Sequence, residues 1–510
     1  MIAGVISLGL SGVDGYAVRV EADISNGLPA FETVGLPDAA VKESRERVRA
    51  ALRNTGLEFP TRRITVNLAP ADTRKEGPIY DLPIAVCLLA ATGQVPPEAV
   101  QDAAFIGELS LDGGVRPVSG MLPMVIAARQ LGIERLFIPA DNAPEAACIE
   151  NIRAIPVSSL GELTAALRGE RAAEAVAPVT WQALRESRQE QSDFSVIRGQ
   201  HIAKRALEVA AAGGHNVLMI GPPGSGKTML ARSLPSILPD ITFEEALEVT
   251  KIHSIAGTLP PRQGLLTTRP FRAPHHTASA VSLTGGGQRL HPGEISLAHY
   301  GVLFLDELPE FERIVLEAMR QPLEDGHVTI TRANGSVDFP SRFMLVASMN
   351  PCPCGHFGSR TQQCACTHAQ IQRYLGRISG PMLDRFDIHI EVDALEYAEL
   401  TSERDAEPSV AIRERVNAAR EVQNQRFRDA GIFSNAQMNN RHQKTYCALD
   451  EESHALMEQM FVRLNLSGRG YGRILRVART IADLEESERI KSEHLAEAVQ
   501  YRSLDRKYWR

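Results

Sequence analysis

The segment "NVLMIGPPGSGKTMLARSL" sets an apolar strand, a glycine-rich loop and a helix in succession. The loop, Gly221, Pro222, Pro223, Gly224, Ser225, Gly226, Lys227 and Thr228, has the spacing G-x-x-x-x-G-K-[ST]. Glycines let backbone N–H groups turn inward around phosphate oxygens, and a helix N-terminus adds the positive end of its dipole. Lys227 is then placed to reach the β- and γ-phosphates of ATP, and Thr228 to bind Mg²⁺. The segment "GVLFLDEL" adds four apolar residues of a buried parallel strand, which delivers Asp306 and Glu307 at its C-terminal edge, where such sheets bind ligands. Asp306 would hold Mg²⁺ through its water shell, and Glu307 would polarise the attacking water as a general base. A third strand, "RFMLVASMN", ends in Asn350, set either to hydrogen-bond the γ-phosphate or its water or to make a strand-end turn. "SGPMLDRFD" places Arg385 to stabilise charge on a γ-phosphate, usually a neighbouring subunit's in ring assemblies, or simply to pair with Asp384 or Asp387. "LSGRGYGRILRVART" offers Arg469 at a helix start, to reach back to the nucleotide, with Arg473 as its competitor.

A second cluster has a different chemistry. Four of the seven cysteines, Cys352, Cys354, Cys364 and Cys366, fall within "CPCGHFGSRTQQCAC". Two close thiol pairs separated by a loop can close a tetrahedron around Zn²⁺, and a four-ligand site with no open position would be structural. His356 and His368 are able to replace one thiolate, and unligated packing thiols are the alternative. The stretch starts just after Asn350 and ends before Arg385. A clasp there is expected to shape a subunit-facing loop, so that its loss weakens assembly or coupled hydrolysis before nucleotide binding.

These residues need elements to hold them. A chain of 510 residues, 44% hydrophobic and 23% charged, has room for two to four domains with full cores. Residues 1–167 read as alternating strands and helices, with "GYAVRVEADI" and "RRITVNLAP" as strands and Asp38 as a helix cap. "AAFIGELSLDGGVRPV" reads as a hairpin turning at Asp112-Gly113-Gly114. Residues 168–192 are polar, charged and rich in alanine, a linker. Residues 193–400 alternate apolar strands with helices, and from 401 to 510 the pattern is helical. The first residues alternate like a strand pair without a basic leader, and no apolar run approaches the roughly 18 residues that span a bilayer. The expected compartment is the cytoplasm, where thiols stay reduced. A net charge of −7 argues against a broadly basic DNA-coating protein but not against a motor with basic residues along one channel.

Together, "GHNVLMIGPPGSGKTMLA", "HPGEISLAHYGVLFLDELPEF", "NPCPCG" and "ISGPMLDRFDIHIEV" resemble the ComM/YifB magnesium-chelatase-like family of AAA+ ATPases. The resemblance implies an α/β chain with a Lon-protease-like N-terminal domain, a central AAA+ parallel αβα sandwich and a C-terminal helical lid. It also implies a homo-hexameric ring that uses ATP and Mg²⁺ to migrate DNA branches during natural transformation, with recombination proteins as possible partners and no membrane. Lys227 and Thr228 take the Walker A roles, Asp306 and Glu307 Walker B, Asn350 sensor 1, Arg385 the arginine finger and Arg469 sensor 2. Two inserts flank the Asp306-Glu307 strand: "PPRQGLLTTRPFRAPHHTASAVSLTGGGQRLHPGEIS" and "HVTITRANGSVDFPSR", the latter a hairpin turning at Asn334-Gly335. Inserts at these positions typify the family's branch and would project toward a ring pore. There Arg269, Phe271, Arg272, Arg289 and Arg332 are candidates to track DNA, the bland reading being solvated loops or subunit contacts.

The N-terminal domain resembles the proteolytic domain of Lon, whose serine follows a "K-D-G-P" stretch. The matching stretch here is "KEGPIYDLP", with Ile79 at the nucleophile's place, and "SGMLPM" lacks the partner lysine. A non-peptidase module is expected, its Arg45, Arg47, Arg49, Arg53, Arg62 and Arg63 either DNA contacts or a solvated face. Two competing functions share parts of this set: the motor subunit of a metal chelatase, and an ATP-dependent protease.

Overall fold

The computed structural model of the chain describes residues 1–186, 192–260, 262–287, 290–332, 335–359, 362–394, 406–464 and 466–509. It divides into two compact units: 1–187 with 243–267 and 331–339, and 188–242 with 268–330 and 340–510.

The first unit is built on a seven-stranded mixed sheet, in spatial order Ala30–Val34, Arg63–Ala69, Asp14–Ser25, Ile2–Ser11, Ala103–Phe105, Arg135–Pro139 and Arg153–Val157. The first two strands in sequence pair antiparallel over their whole length, closing through Gly12, whose φ of 63° is the left-handed value that glycine tolerates. Strand side chains alternate between faces, and two cores follow from that period of two. Ala103, Phe105 and Phe137 enter one core with helix Asp81–Ala91, while Ala104, Ile106, Leu136 and Ile138 enter the other with helix Met121–Gln130. Asp38 caps the helix Ala39–Lys42 by accepting from the Val41 N–H at 2.8 Å. The Asp112-Gly113-Gly114 turn joins the short antiparallel strands Glu108–Leu109 and Val115–Arg116.

The compact units group two segments otherwise than the division read in the sequence. Residues 168–186 run along the first unit: Val176 and Val179 donate their N–H groups to Ala154 and Ala147, and Trp181 packs edge-on against Phe243 at 5.8 Å. The helix Phe243–Ala256, read as part of the ATPase core, also belongs here. Its Ala246, Val249 and Ile252 are buried, Leu265 beyond it is fully buried in the second core, and the Glu145 carboxylate accepts from Ser254 Oγ at 2.5 Å. Burial of this helix's apolar face and the Ser254–Glu145 hydrogen bond both tie the helix to the first unit.

The second unit carries a five-stranded parallel sheet in the order Phe271–Arg272, Val302–Leu305, Met344–Met349, Val217–Ile220 and Ile388–Glu391. Its central strands are apolar runs, interrupted only by Ser348 in Met344–Met349, because both faces are covered. Helices His201–Gly213, Ser409–Arg426, Gly468–Leu484 and Ser492–Gln500 pack with the sheet into one core. The described residues from 409 onward are mainly helical, as the 3.6-residue periodicity predicts, and 401–405 lie outside the described residues. No helix among the described residues is long and apolar enough to cross a membrane.

Candidate nucleotide site

The phosphate loop leaves the buried strand Val217–Ile220 between its two sheet neighbours and ends at helix Lys227–Ser233. Gly224 and Gly226 have φ of 76° and 90°, and a Cβ at either would meet open space. Ser225 Oγ is buried with no hydrogen-bond partner among the described residues. An orphaned hydroxyl beside two left-handed glycines fits a loop shaped around an anion. Lys227 is 8% exposed, and its Nζ donates to the Gly221 and Pro222 carbonyls at 2.8 Å each and approaches Asn350 Oδ1 at 3.4 Å. Burial lowers its pKa to about 8, against the pull of Asp306 and Glu307.

Thr228 Oγ1 donates to Asp306 Oδ2 at 2.9 Å, and Ser348 Oγ donates to the other carboxylate oxygen. The Thr228 hydroxyl and the Asp306 carboxylate would supply oxygen ligands of the kind that Mg²⁺ takes. Glu307 follows in the left-handed region, φ 55°, half exposed, with its N–H on Asp306 Oδ1 at 3.1 Å. His276 Nδ1 lies 3.6 Å from Glu307 Oε2. Sequence reasoning missed His276. Its only signal was the His-His pair in the insert, which nothing local ties to Glu307.

Arg385 lies at the other end of the sheet. Asn216, just before Val217, donates from Nδ2 to the Arg385 carbonyl at 2.8 Å and accepts from the Asp387 and Ile388 N–H groups at 3.0 and 3.1 Å. The phosphate loop begins only after Ile220, four strand residues later, about 13 Å at ~3.3 Å per residue. The Arg385 guanidinium pairs with Glu324, not with Asp384 or Asp387. Burial lowers its pKa, and Arg320, Arg469 and Arg473 add to the effect. Arg473 is buried, 3.2 Å from Asp384, while the exposed Arg469 is 3.9 Å from the same carboxylate. The structure therefore gathers Arg385, Arg469 and Arg473 together and does not bring Arg469 to the phosphate loop of its own chain. Below them Asp387 is buried against His215 at 3.2 Å. Burial raises its pKa, but Arg476, His215 and Arg473 outweigh that and hold it well below the usual carboxylate range.

Comparison with known proteins agrees with this architecture. The chain is 45% identical over 512 residues to competence protein ComM of Haemophilus influenzae, covering 99% of this chain and 98% of the other. It is 44% identical over 496 residues to YifB of Escherichia coli, covering 97% and 96%. The chain belongs to the ComM/YifB magnesium-chelatase-like AAA+ family. Family models described as "Magnesium chelatase, subunit ChlI", "Subunit ChlI of Mg-chelatase" and "Magnesium chelatase, subunit ChlI C-terminal" match residues 193–400, 20–142 and 406–502. A 145-residue stretch is 29% identical to Lon protease of Mycolicibacterium smegmatis, covering 27% of this chain and 18% of that one. The ComM/YifB fold is thus mixed α/β, with Lon-like homology, an AAA+-type parallel sheet and a helical C-terminus.

In this family member the four clustered cysteines do converge. The Sγ atoms of Cys352, Cys354, Cys364 and Cys366 all lie within 4.8 Å of one another, three of the separations being 3.4, 3.7 and 3.6 Å. Thiolates about 2.3 Å from a tetrahedral zinc lie about 3.8 Å apart, so the donor set fits that ion. Backbone N–H donors at His356 and Ala365 lower the Cys354 thiol to about 6. Gly355, at φ 82°, lies so close to Pro223 that a Cβ there would be 2.5 Å from Pro223 Cδ. The cysteine loop rests on the phosphate loop itself.

The insert residues are more committed than their composition suggests. Arg269 donates to the carbonyls of Pro239, Tyr300 and Asp240 at 2.7, 2.8 and 3.3 Å. Arg272 forms a two-pronged pair with Glu294 at 2.7 and 2.8 Å, and Phe271 stacks on Phe304 at 5.9 Å. These three residues hold the edge strand in place. Arg289 and Asn334 lie outside the described residues, and Arg332 is the last residue of strand His327–Arg332, its side chain also outside them. In the first unit Arg47 is fixed to Asp81 at 2.6 Å, Arg45 lies 3.4 Å from Glu46, and Arg63 lies 3.4 Å from Glu32. Burial nonetheless raises Asp81 to about 6. Ile79, at the place of the Lon nucleophile, packs against both cores.

Proposed function

We propose that the chain is an Mg²⁺-dependent ATPase that assembles as a ring, hexameric as the family resemblance implies, and drives branch migration of DNA in the cytoplasm. The observation that carries the ring is the position of Arg385. A chain with its phosphate loop at one end of the strand and its arginine group at the other has an incomplete hydrolytic set, and a neighbouring copy supplies what is missing. Support for DNA comes from the ComM resemblance and from the hairpin strands His327–Arg332 and Gly335–Pro340, which fall at an insert position that typifies the family's branch.

In the proposed cycle Lys227 neutralises charge on the β- and γ-phosphates and Asn350 orients the γ-phosphate. Thr228 and Asp306 hold the Mg²⁺, which, when bound, offsets charge on the phosphate oxygens. Glu307 takes the proton of the attacking water, with His276 as a positioning residue that fixes its carboxylate. Arg385 of a neighbouring subunit meets the charge that develops on the γ-phosphate, and Arg469 and Arg473 support it from the same side. The four cysteines hold a structural zinc. Reading the phosphate loop as a chelatase motor shares every one of these residues, and a DNA effect on turnover separates the two. Steady-state ATPase measured with and without branched DNA is expected to rise several-fold with DNA. An unchanged rate at saturating DNA would remove the DNA motor reading.

A further inference from the structure

We propose that the zinc held by the four cysteines controls nucleotide affinity, because the loop it closes is one wall of the phosphate loop. This inference rests on the zinc reading above and goes beyond it.

The phosphate loop has two backbone walls. On one side a Cβ at Gly221 would come within 2.1 Å of the Val392 carbonyl, so the loop's first residue lies flat against the end of the strand Ile388–Glu391. On the other side Gly355 lies flat against the Pro223 ring, with 2.5 Å from a Cβ to Pro223 Cδ and 3.2 Å to Cγ. Gly355 is held by its own N–H on the Cys352 carbonyl at 2.9 Å and directly follows a ligand position, Cys354, in sequence. Its position is therefore set by Cys352 and Cys354, whose sulfurs are drawn together by whatever closes the cluster.

Cys352 is fully buried, and its Sγ accepts the Phe357 N–H at 3.3 Å. Phe357 packs on Tyr508 at 6.3 Å, and Tyr508 donates to Glu391 at 3.0 Å, one residue before Val392. The two walls are thus tied to each other through the cysteine loop. On the same stretch, Asn350, two residues before Cys352, approaches Lys227 Nζ at 3.4 Å. Taking the cation away leaves four thiols within 4.8 Å of one another without the partner that held them in common, and the two pairs are free to part. The Gly355 wall then withdraws from Pro223, and the phosphate loop loses the support that presets its N–H groups for phosphate. Binding must supply that ordering, which lowers affinity.

The test uses the purified full-length protein, with zinc counted by metal analysis and affinity read by titration with a fluorescent N-methylanthraniloyl ATP at constant Mg²⁺. One zinc per chain is expected. Its removal by phenanthroline should weaken nucleotide binding at least tenfold, and added zinc should restore it. Gly355→Ala keeps all four thiols, so it should retain zinc yet bind nucleotide at least tenfold more weakly. This variant keeps the proposal testable even if Cys364→Ser fails to fold. A zinc-free protein with unchanged circular dichroism and unchanged nucleotide affinity would overturn the inference while leaving the structural zinc site standing. A chain that takes up no zinc even on reconstitution would overturn the zinc reading itself.

Discussion

Lys227 carries a charge whose presence depends on pH in the range where the protein is handled. With burial lowering its pKa from 10.5 to about 8, the free protein holds a protonated Lys227 below pH 8 and loses it above. Bound phosphate favours the charged form, so nucleotide binding should draw a proton onto Lys227 near and above pH 8. Affinity is expected to be level below pH 8 and to fall by up to about tenfold per pH unit above it. Calorimetric titrations in two buffers of different ionisation heat read both the affinity and the proton uptake. Level affinity up to pH 9.5 would contradict the assignment. At Glu307, the His276 contact makes a separable claim: His276→Ala should lower kcat about tenfold with little change in KM, because the base is misaimed while the phosphate loop is untouched. A rise in KM alone would assign His276 to binding.

The elements that hold these residues differ in how far their sequence announces them. The phosphate loop, the Asp306-Glu307 strand end and Asn350 were legible because strand, loop and helix chemistry is local, and each buried strand is a largely apolar run of four to six residues. The helix Phe243–Ala256 was legible as a helix but not as part of the first unit, since its partners, such as Glu145 for Ser254, lie over one hundred positions away in the chain. The same limit hid the Arg272–Glu294 and Arg385–Glu324 pairs: composition shows a basic insert, but only the folded chain shows which carboxylate each arginine meets. If the helix is integral to the core of the first unit, Ile252→Ala, at a position 1% exposed, should cost about 2–5 kcal/mol. Denaturant unfolding of the full chain measures it, and a loss below 1 kcal/mol would mean that the helix is only loosely packed.

At the scale of the whole molecule the proposed site is half a site. Arg385→Ala leaves the phosphate loop intact, and Lys227→Ala leaves Arg385 intact, so each variant alone should hydrolyse ATP at a small fraction of the wild-type rate. Mixed together they should recover part of it, because some interfaces then pair a good loop with a good arginine. No recovery in co-assembled mixtures would place Arg385 outside catalysis. The central claim, that hydrolysis moves DNA, is met most directly by a labelled four-way junction incubated with wild-type or Lys227→Ala protein. The account predicts ATP-dependent conversion of the junction to duplex products by the wild type and none by Lys227→Ala. Junctions left intact by a wild-type protein that is hydrolysing ATP, or resolved equally by Lys227→Ala, would contradict it.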